Sequence, residues 1–277
     1  MLWQWGVPPF VNSFWEIQMI RKTVLATALA AAAAVPTLAN AQAAAAAPAS
    51  PHTLTGNLGI VSDYRFRGIS QTYLQPAIQG GIDYSHSSGF YLGNWNSSVS
   101  GLSYNNGGGI EMDLYGGFKK AFGDFTFDIG LLQYYYPKAQ YASGDKYDTT
   151  EVYLGVAWKW LTAKYSMTTG DYFGVNGTTY GAYGTGDSKG SGYLDISASY
   201  EIAPKLTLVG HYGMQTVKNF APLEYNDVKL GVTYDMNGWI LGAAYIDTDA
   251  DSAIYFVGSD SKETGKGTVV LSVGKSF

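Results

Sequence analysis

Residues 268–277 read TVVLSVGKSF. Val269, Leu271, Val273, Lys275 and Phe277 fall on one face, and Thr268, Ser272, Gly274 and Ser276 on the other. A period of two marks a strand with one apolar and one polar side. The stretch closes on an aromatic residue. The final strand of an outer-membrane barrel does the same, pairing with the first strand and placing its ring at the lipid–water boundary. An edge strand of a soluble sandwich also alternates in this way, so the decision falls to the rest of the chain.

Working back from that strand, the same alternation recurs at 54–66, 75–85, 90–99, 109–118, 125–135, 150–158, 161–168, 192–202, 206–215, 225–234 and 239–247. Together these make twelve segments, an even number as bacterial single-chain barrels require. The connections discriminate further. Every second one is short (86–89, 119–124, 159–160, 203–205 and 235–238), and those between are mostly longer and polar (67–74, 100–108, 136–149, 169–191, 216–224 and 248–267). Short periplasmic turns alternating with longer extracellular loops are the asymmetry of an outer-membrane barrel. A soluble sandwich has no reason to keep it. The expectation is an all-β protein: a transmembrane antiparallel up-and-down β-barrel over residues 53–277, with both termini periplasmic.

Composition agrees. The chain has 35 glycines, 23 tyrosines, no cysteine and 14% charged residues, against about 25% charge in an ordinary soluble domain. Without cysteine there is no disulfide scaffold, cysteine nucleophile, thiolate metal site or lipid-modified N-terminal cysteine. No apolar run reaches the roughly 20 residues a spanning helix needs, so any crossing is made by strands. Residues 19–41 carry the zones of a secretory signal peptide: Arg21 and Lys22, an apolar run over 24–35, and Ala39 and Ala41 as a small-x-small cleavage site before Gln42. Residues 1–18 then precede an adequate start methionine and read as an upstream mis-start or disordered extension. Residues 42–52 form an Ala/Pro-rich lead-in. The predicted destination is the outer membrane of a Gram-negative bacterium.

Against this background, SDYRFRGISQT (62–72), PAIQGGIDYSHSSGFYLGNW (76–95), EMDLYGGF (111–118), TTGDYFG (168–174), GYLDISASYEI (192–202) and YNDVKLGVTYDMNGWILGAAYIDTDA (225–250) resemble the TorF porin family. The resemblance covers essentially the whole chain after residue 53. It implies an outer-membrane barrel and brings no catalytic or binding residue with it.

Side-chain parity divides the strands. The predicted lipid-facing set includes Ile78, Ile82, Tyr91, Trp95, Leu114, Ile129, Leu154, Leu208 and Leu230, with Tyr64, Trp158, Tyr200, Tyr234 and Trp239 in the interfacial girdles. The predicted lumen set is Asp63, Arg65, Asp83, Glu111, Asp113, Asp128, Glu151, Lys164, Asp195, Glu201, Asp227 and Lys229. Acids dominate it, so an aqueous path lined by these groups favours cations. Alternatively the charges pair across strands inside a filled barrel, since twelve strands lie between filled eight-stranded and open 16-stranded barrels. Arg65 and Arg67, two apart, form either an extracellular basic spot or pairs with Asp63 or Asp83.

Asp247, Asp249 and Asp251, with Asp260 and Glu263 beyond, place oxygens at alternate positions. The turn glycine and twelfth-position glutamate of a calcium loop are missing, so a solvated acidic loop is the stronger reading. No cofactor is implied. An enzyme needs a nucleophile or activated water beside a base. Of the 3 histidines, His52 lies in the lead-in, His86 in a turn, and only His211 in mid-strand with lumen parity. No HExxH or GxxxxGK[ST] occurs. A structural or adhesive barrel would rely on loop 169–191, whose Tyr172, Phe173, Tyr180 and Tyr183 could equally fold inward as a constriction. The sequence therefore points to a passive channel for small polar solutes, leaning to cations. Outer-membrane lipid and the barrel-assembly machinery, engaged through Val269, Leu271, Val273 and Phe277, are the expected partners; nucleic acid is not.

Overall fold

The computed structural model describes residues 50–102, 108–257 and 262–277. The N-terminal extension, the signal peptide with Ala39, Ala41 and Gln42, nearly all of the lead-in, and Asp260 lie outside the described residues. The barrel strands are β1 (His52–Val61), β2 (Ala77–His86), β3 (Phe90–Ser98), β4 (Ile110–Phe122), β5 (Phe125–Tyr135) and β6 (Thr149–Trp158). They continue as β7 (Leu161–Thr168), β8 (Gly192–Ala203), β9 (Leu206–Thr216), β10 (Tyr225–Met236), β11 (Trp239–Thr248) and β12 (Thr268–Ser276). Each pairs antiparallel with its chain neighbours, and the sheet is closed.

Closure is made by β1 and β12, from Asn57 opposite Ser276 to Val61 opposite Ser272. Beyond the last ladder pair, Gly56 N–H donates to Phe277 O at 2.8 Å and Phe277 N–H returns to Gly56 O at 3.0 Å. A Cβ on Gly56 would lie 2.6 Å from the Phe277 ring, so the glycine makes room for the terminal aromatic at the seam. Closing the sheet leaves no unpaired edge, which a bilayer requires. The short connections all emerge at one end of the barrel, the turn end, and the long ones at the other, the loop end.

Outward-facing side chains are apolar and exposed, as in Leu154 (61%) and Leu230 (63%). Phe122, Phe125, Trp158, Tyr200, Tyr234 and Trp239 ring the turn end; Tyr135, Tyr165, Tyr212 and Tyr245 ring the loop end. Lys120 and Lys275 point outward only near the turn end, where their stems can carry the charge to the interface. Asn94 and Asn96 face outward too, but their amides bond each other and the carbonyls of Asp113 and Gly80. Gln133 likewise accepts from Thr150. A polar group facing lipid must be satisfied within the protein, and these are.

Two expectations about side are overturned. The first strand does not run to Phe66; it leaves the ladder after Val61, and 62–76 turns into the barrel. Tyr64, expected in a girdle, is 1% exposed and inside, with Phe66 buried beside it. In β3 the outward residues are Phe90, Leu92, Asn94 and Asn96, so Tyr91 and Trp95 face inward. Both faces of β3 carry aromatics, and alternation alone cannot say which is wet. Register decides it: Trp95 lies opposite Asp113 and packs edge-on to Tyr64 at 5.5 Å.

Candidate functional site in the barrel lumen

The inward turn is built by its own polar side chains. Asp63 accepts from Ser70 Oγ at 2.6 Å, Thr72 Oγ1 at 3.2 Å and Arg65 Nε at 2.5 Å. This permits a two-residue hairpin, Arg65–Phe66 against Ile69–Ser70. Its tip is left-handed at Arg67 (φ 47°) and Gly68 (φ 80°). A Cβ at Gly68 would sit 2.8 Å from Asp227 Cβ, so the tip lies against the barrel wall. Arg65 also donates through Nη1 to the carbonyls of Gly68, Thr264 and Lys266, tying the turn to the last loop.

Behind the tip an aromatic core closes the loop-end half of the lumen. Phe66 meets Tyr134 and Phe173 edge-on at 5.4 and 5.6 Å, and Tyr64, Trp95, Tyr136 and Tyr147 complete it. Loop 169–191 therefore sends Tyr172 and Phe173 inward, the constriction anticipated as one of its two roles, while Tyr183 stays exposed.

Arg67 reaches across the lumen. Its Nη2 donates to both carboxylate oxygens of Glu151 (β6) at 2.8 Å, and Nη1 donates to Gln215 Oε1 (β9) at 2.8 Å. The Phe66 and Tyr193 ring centroids lie 4.7 and 4.2 Å from its Cζ. Glu151 and Gln215 are 1% and 2% exposed, so the pair is sealed from water. Arg65 and Arg67 thus form no shared basic spot. Arg65 is spent on Asp63, one of the pairings anticipated, and Arg67 on a wall residue far away in sequence.

Almost every residue expected in the lumen faces it. Glu111, fully buried, accepts from Tyr64 and Tyr136 hydroxyls at 2.6 and 2.7 Å. Asp113 beside it carries one oxygen, Oδ1, with no hydrogen-bond partner among the described residues. Asp83 accepts from Tyr115, and Asp128 from Tyr91 at 2.7 Å with Lys119 Nζ 3.9 Å away. Lys164 and Lys229 lie opposite Asp195 and His211. Glu201 is the outlier: it is exposed at the turn end, accepting from the Lys205 backbone N–H.

Tyrosines absent from the predicted lumen set also face it. Tyr115, Tyr153 and Tyr193 share strand and parity with Asp113, Glu151 and Asp195, a signal that was legible. Each lies over a glycine of the neighbouring strand. A Cβ would come within 2.6 Å of Tyr115 at Gly93, of Tyr91 at Gly117 and of Tyr153 at Gly130, and within 2.7 Å of Tyr193 at Gly213. The missing side chain lets the ring lie flat and delivers the Tyr115, Tyr91 and Tyr193 hydroxyls to Asp83, Asp128 and Asp227, while that of Tyr153 meets the Tyr91 hydroxyl.

His211 joins a further cluster. Nδ1 lies 3.0 Å from Ser197 Oγ, and Nε2 lies 2.9 Å from Asp227 Oδ1 and 3.0 Å from Tyr193 Oη. The members of a nucleophile–base pair are present, but Ser197 donates its proton to Asp195 Oδ1 at 2.6 Å. It also sits between paired strands, opposite Thr162 and His211, where backbone N–H groups are committed to the ladder. Chemically the cluster holds charge in place; it offers no oxyanion site.

Outside the lumen, Asp247, Asp249 and Asp251 do not converge. Asp247 accepts from Tyr245, Asp249 takes both the N–H and the side-chain amide of Asn226, and Asp251 caps Ala253. A cleft of about 310 Å³ at the loop end is lined by Asp145, Asp148, Thr149, Thr169 and Asp171, with Asp145 and Asp171 tied to Asn176.

Residues 45–277 match the profile of a family described as "Bacterial protein of unknown function (Gcw_chp)". No curated protein matches the chain. Among solved structures it is similar to the KdgM porin, at 8% identity and TM-score 0.47 over 81% of this chain and 98% of that one. It is similar to the NanC porin at 11% and 0.47 over 81% and 99%, and to OccAB2 of Acinetobacter baumannii at 13% and 0.40 over 84% and 66%.

Proposed function

For a chain that belongs to the Gcw_chp family, whose function is undescribed, we propose the role of an outer-membrane channel for small polar solutes, leaning to cations. One observation carries this reading. A closed barrel with an apolar exterior holds Asp63, Asp83, Glu111, Asp113, Asp128, Glu151, Asp195 and Asp227 inside, against Arg65, Arg67, Lys119, Lys164 and Lys229, an acidic surplus. A wall of that sign concentrates cations along any aqueous path it lines. In this reading the signal peptide at 19–41 exports the chain, the barrel-assembly machinery engages β12, both termini are periplasmic, and the loop end is extracellular. The resemblance of 62–72 and 76–95 to TorF porins supports the same assignment.

The aromatic core around Phe66 and Phe173 favours a second reading, a filled barrel that binds a ligand or serves the envelope without conducting. Conductance of the refolded protein in a planar bilayer, with reversal potential under a salt gradient, separates the two. Discrete steps with cation preference are expected, larger in an Arg67→Ala variant, in which the side chain that bridges the lumen to β6 and β9 is gone. Anion preference removes the account of the charged wall. Silence from both proteins, each shown to be folded, overturns the channel and leaves the filled barrel.

A further inference from the structure

The surroundings of Arg67 are those of a receptor site, and its walls do not depend on the residue that fills it. Glu151, Tyr193 and Gln215 stand on β6, β8 and β9, fixed by ladders on both sides. The occupant arrives on a hairpin tip that holds a non-glycine residue at φ 47°, a conformation with an intrinsic cost. Together the walls supply a carboxylate whose two oxygens face one nitrogen of the fork, an amide oxygen facing the other nitrogen, and an aromatic face over the plane. That set matches a planar guanidinium. An ammonium, a compact point donor, would leave part of it unused.

We infer that Glu151, Gln215 and Tyr193 form a binding site for small guanidinium-bearing cations, occupied in this closed arrangement by the chain's own Arg67. The inference rests on the channel reading only for the route by which a solute arrives. If that reading holds, the site names the solute class: organic cations with a free guanidinium, which compete with Arg67, displace the turn and so open their own path.

The test uses the refolded full-length chain as native protein, Arg67→Ala and Arg67→Ala/Glu151→Gln, with guanidinium chloride at millimolar concentration. Tetramethylammonium chloride at equal ionic strength is the control. Thermal unfolding in detergent should shift upward with guanidinium in Arg67→Ala and not in the native protein, whose own arginine fills the site. The half-saturating concentration should rise about tenfold or more in the double variant, which lacks the charged acceptor. If Arg67→Ala fails to fold unaided, guanidinium but not tetramethylammonium should restore its heat-modifiable band on electrophoresis. The absence of both effects overturns the site, as does an equal effect in the double variant. In a planar bilayer, guanidinium should block potassium current through Arg67→Ala. Current without block rejects the site and keeps the channel; binding without current keeps the site and rejects the channel.

Discussion

Removing the charge of Arg67 while keeping its bulk, as Arg67→Met, isolates the ion pair that joins the tip of the inward turn to β6. Glu151 is 1% exposed, and apart from Arg67 it accepts from the Tyr134 hydroxyl at 3.4 Å, a long hydrogen bond. Taking one partner from a sealed ion pair leaves an uncompensated charge and costs about 3–5 kcal/mol. The cation–ring contacts add about 0.5–2 kcal/mol, partly returned by the thioether against the same rings at about 0.3–1.5 kcal/mol. A net loss of about 3–5 kcal/mol is expected. Adding Glu151→Gln removes the orphaned charge and should return most of that loss, because exchanging a whole buried pair for neutral groups is often neutral. The assay is equilibrium urea unfolding of the barrel in lipid vesicles, followed by tryptophan fluorescence. A single-variant loss below about 1 kcal/mol, or a double variant equal to the sum of its singles, refutes the argument. Either result would mean that Glu151 is hydrated and the turn undocked.

Three further predictions use the same assay or a simple extension of it. Gly213→Ala drives a methyl into Tyr193 and should cost about 1–3 kcal/mol, whereas Gly210→Ala, with nothing within 4 Å of its Cβ, should stay within about 0.5 kcal/mol of native. Tyr64→Phe and Tyr136→Phe each remove a hydrogen bond to buried Glu111 and should each destabilise by about 1.5–3 kcal/mol, with the pair non-additive because the two share one carboxylate. Single-tryptophan proteins should separate in brominated lipid: Trp239 quenched, Trp95 protected by its place inside the wall.

Some of this architecture is written plainly in the chain and some is not. β10 shows the legible part: Val228, Leu230 and Val232 alternate with Asp227 and Lys229, and acid against aliphatic leaves no doubt which side meets lipid. Parity falters where both sides are apolar. In β3, Phe90 and Leu92 compete with Tyr91 and Trp95, and only pairing across to Asp113 resolves them. It fails at 54–66 for another reason. Tyr64 and Phe66 keep the alternation of the strand before them, but their partners Glu111, Tyr134 and Phe173 lie far along the chain. The lumen carboxylates were visible because a charge cannot face lipid cheaply. The tyrosines that serve them are marked only indirectly, by sharing strand and parity with those acids, because a tyrosine by itself suits either side.

Arg67 joins positions that are distant in the chain: Glu151 lies 84 residues ahead and Gln215 148 residues ahead. Neither wall exists when the first strand is made, and the two face each other across the lumen only once β6 to β9 are in register. A strand slipped by one residue turns Glu151 or Gln215 outward, and the arginine then finds nothing to grip. The Arg67 contacts therefore report on register: they form only on a sheet in which β6 and β9 are correctly aligned.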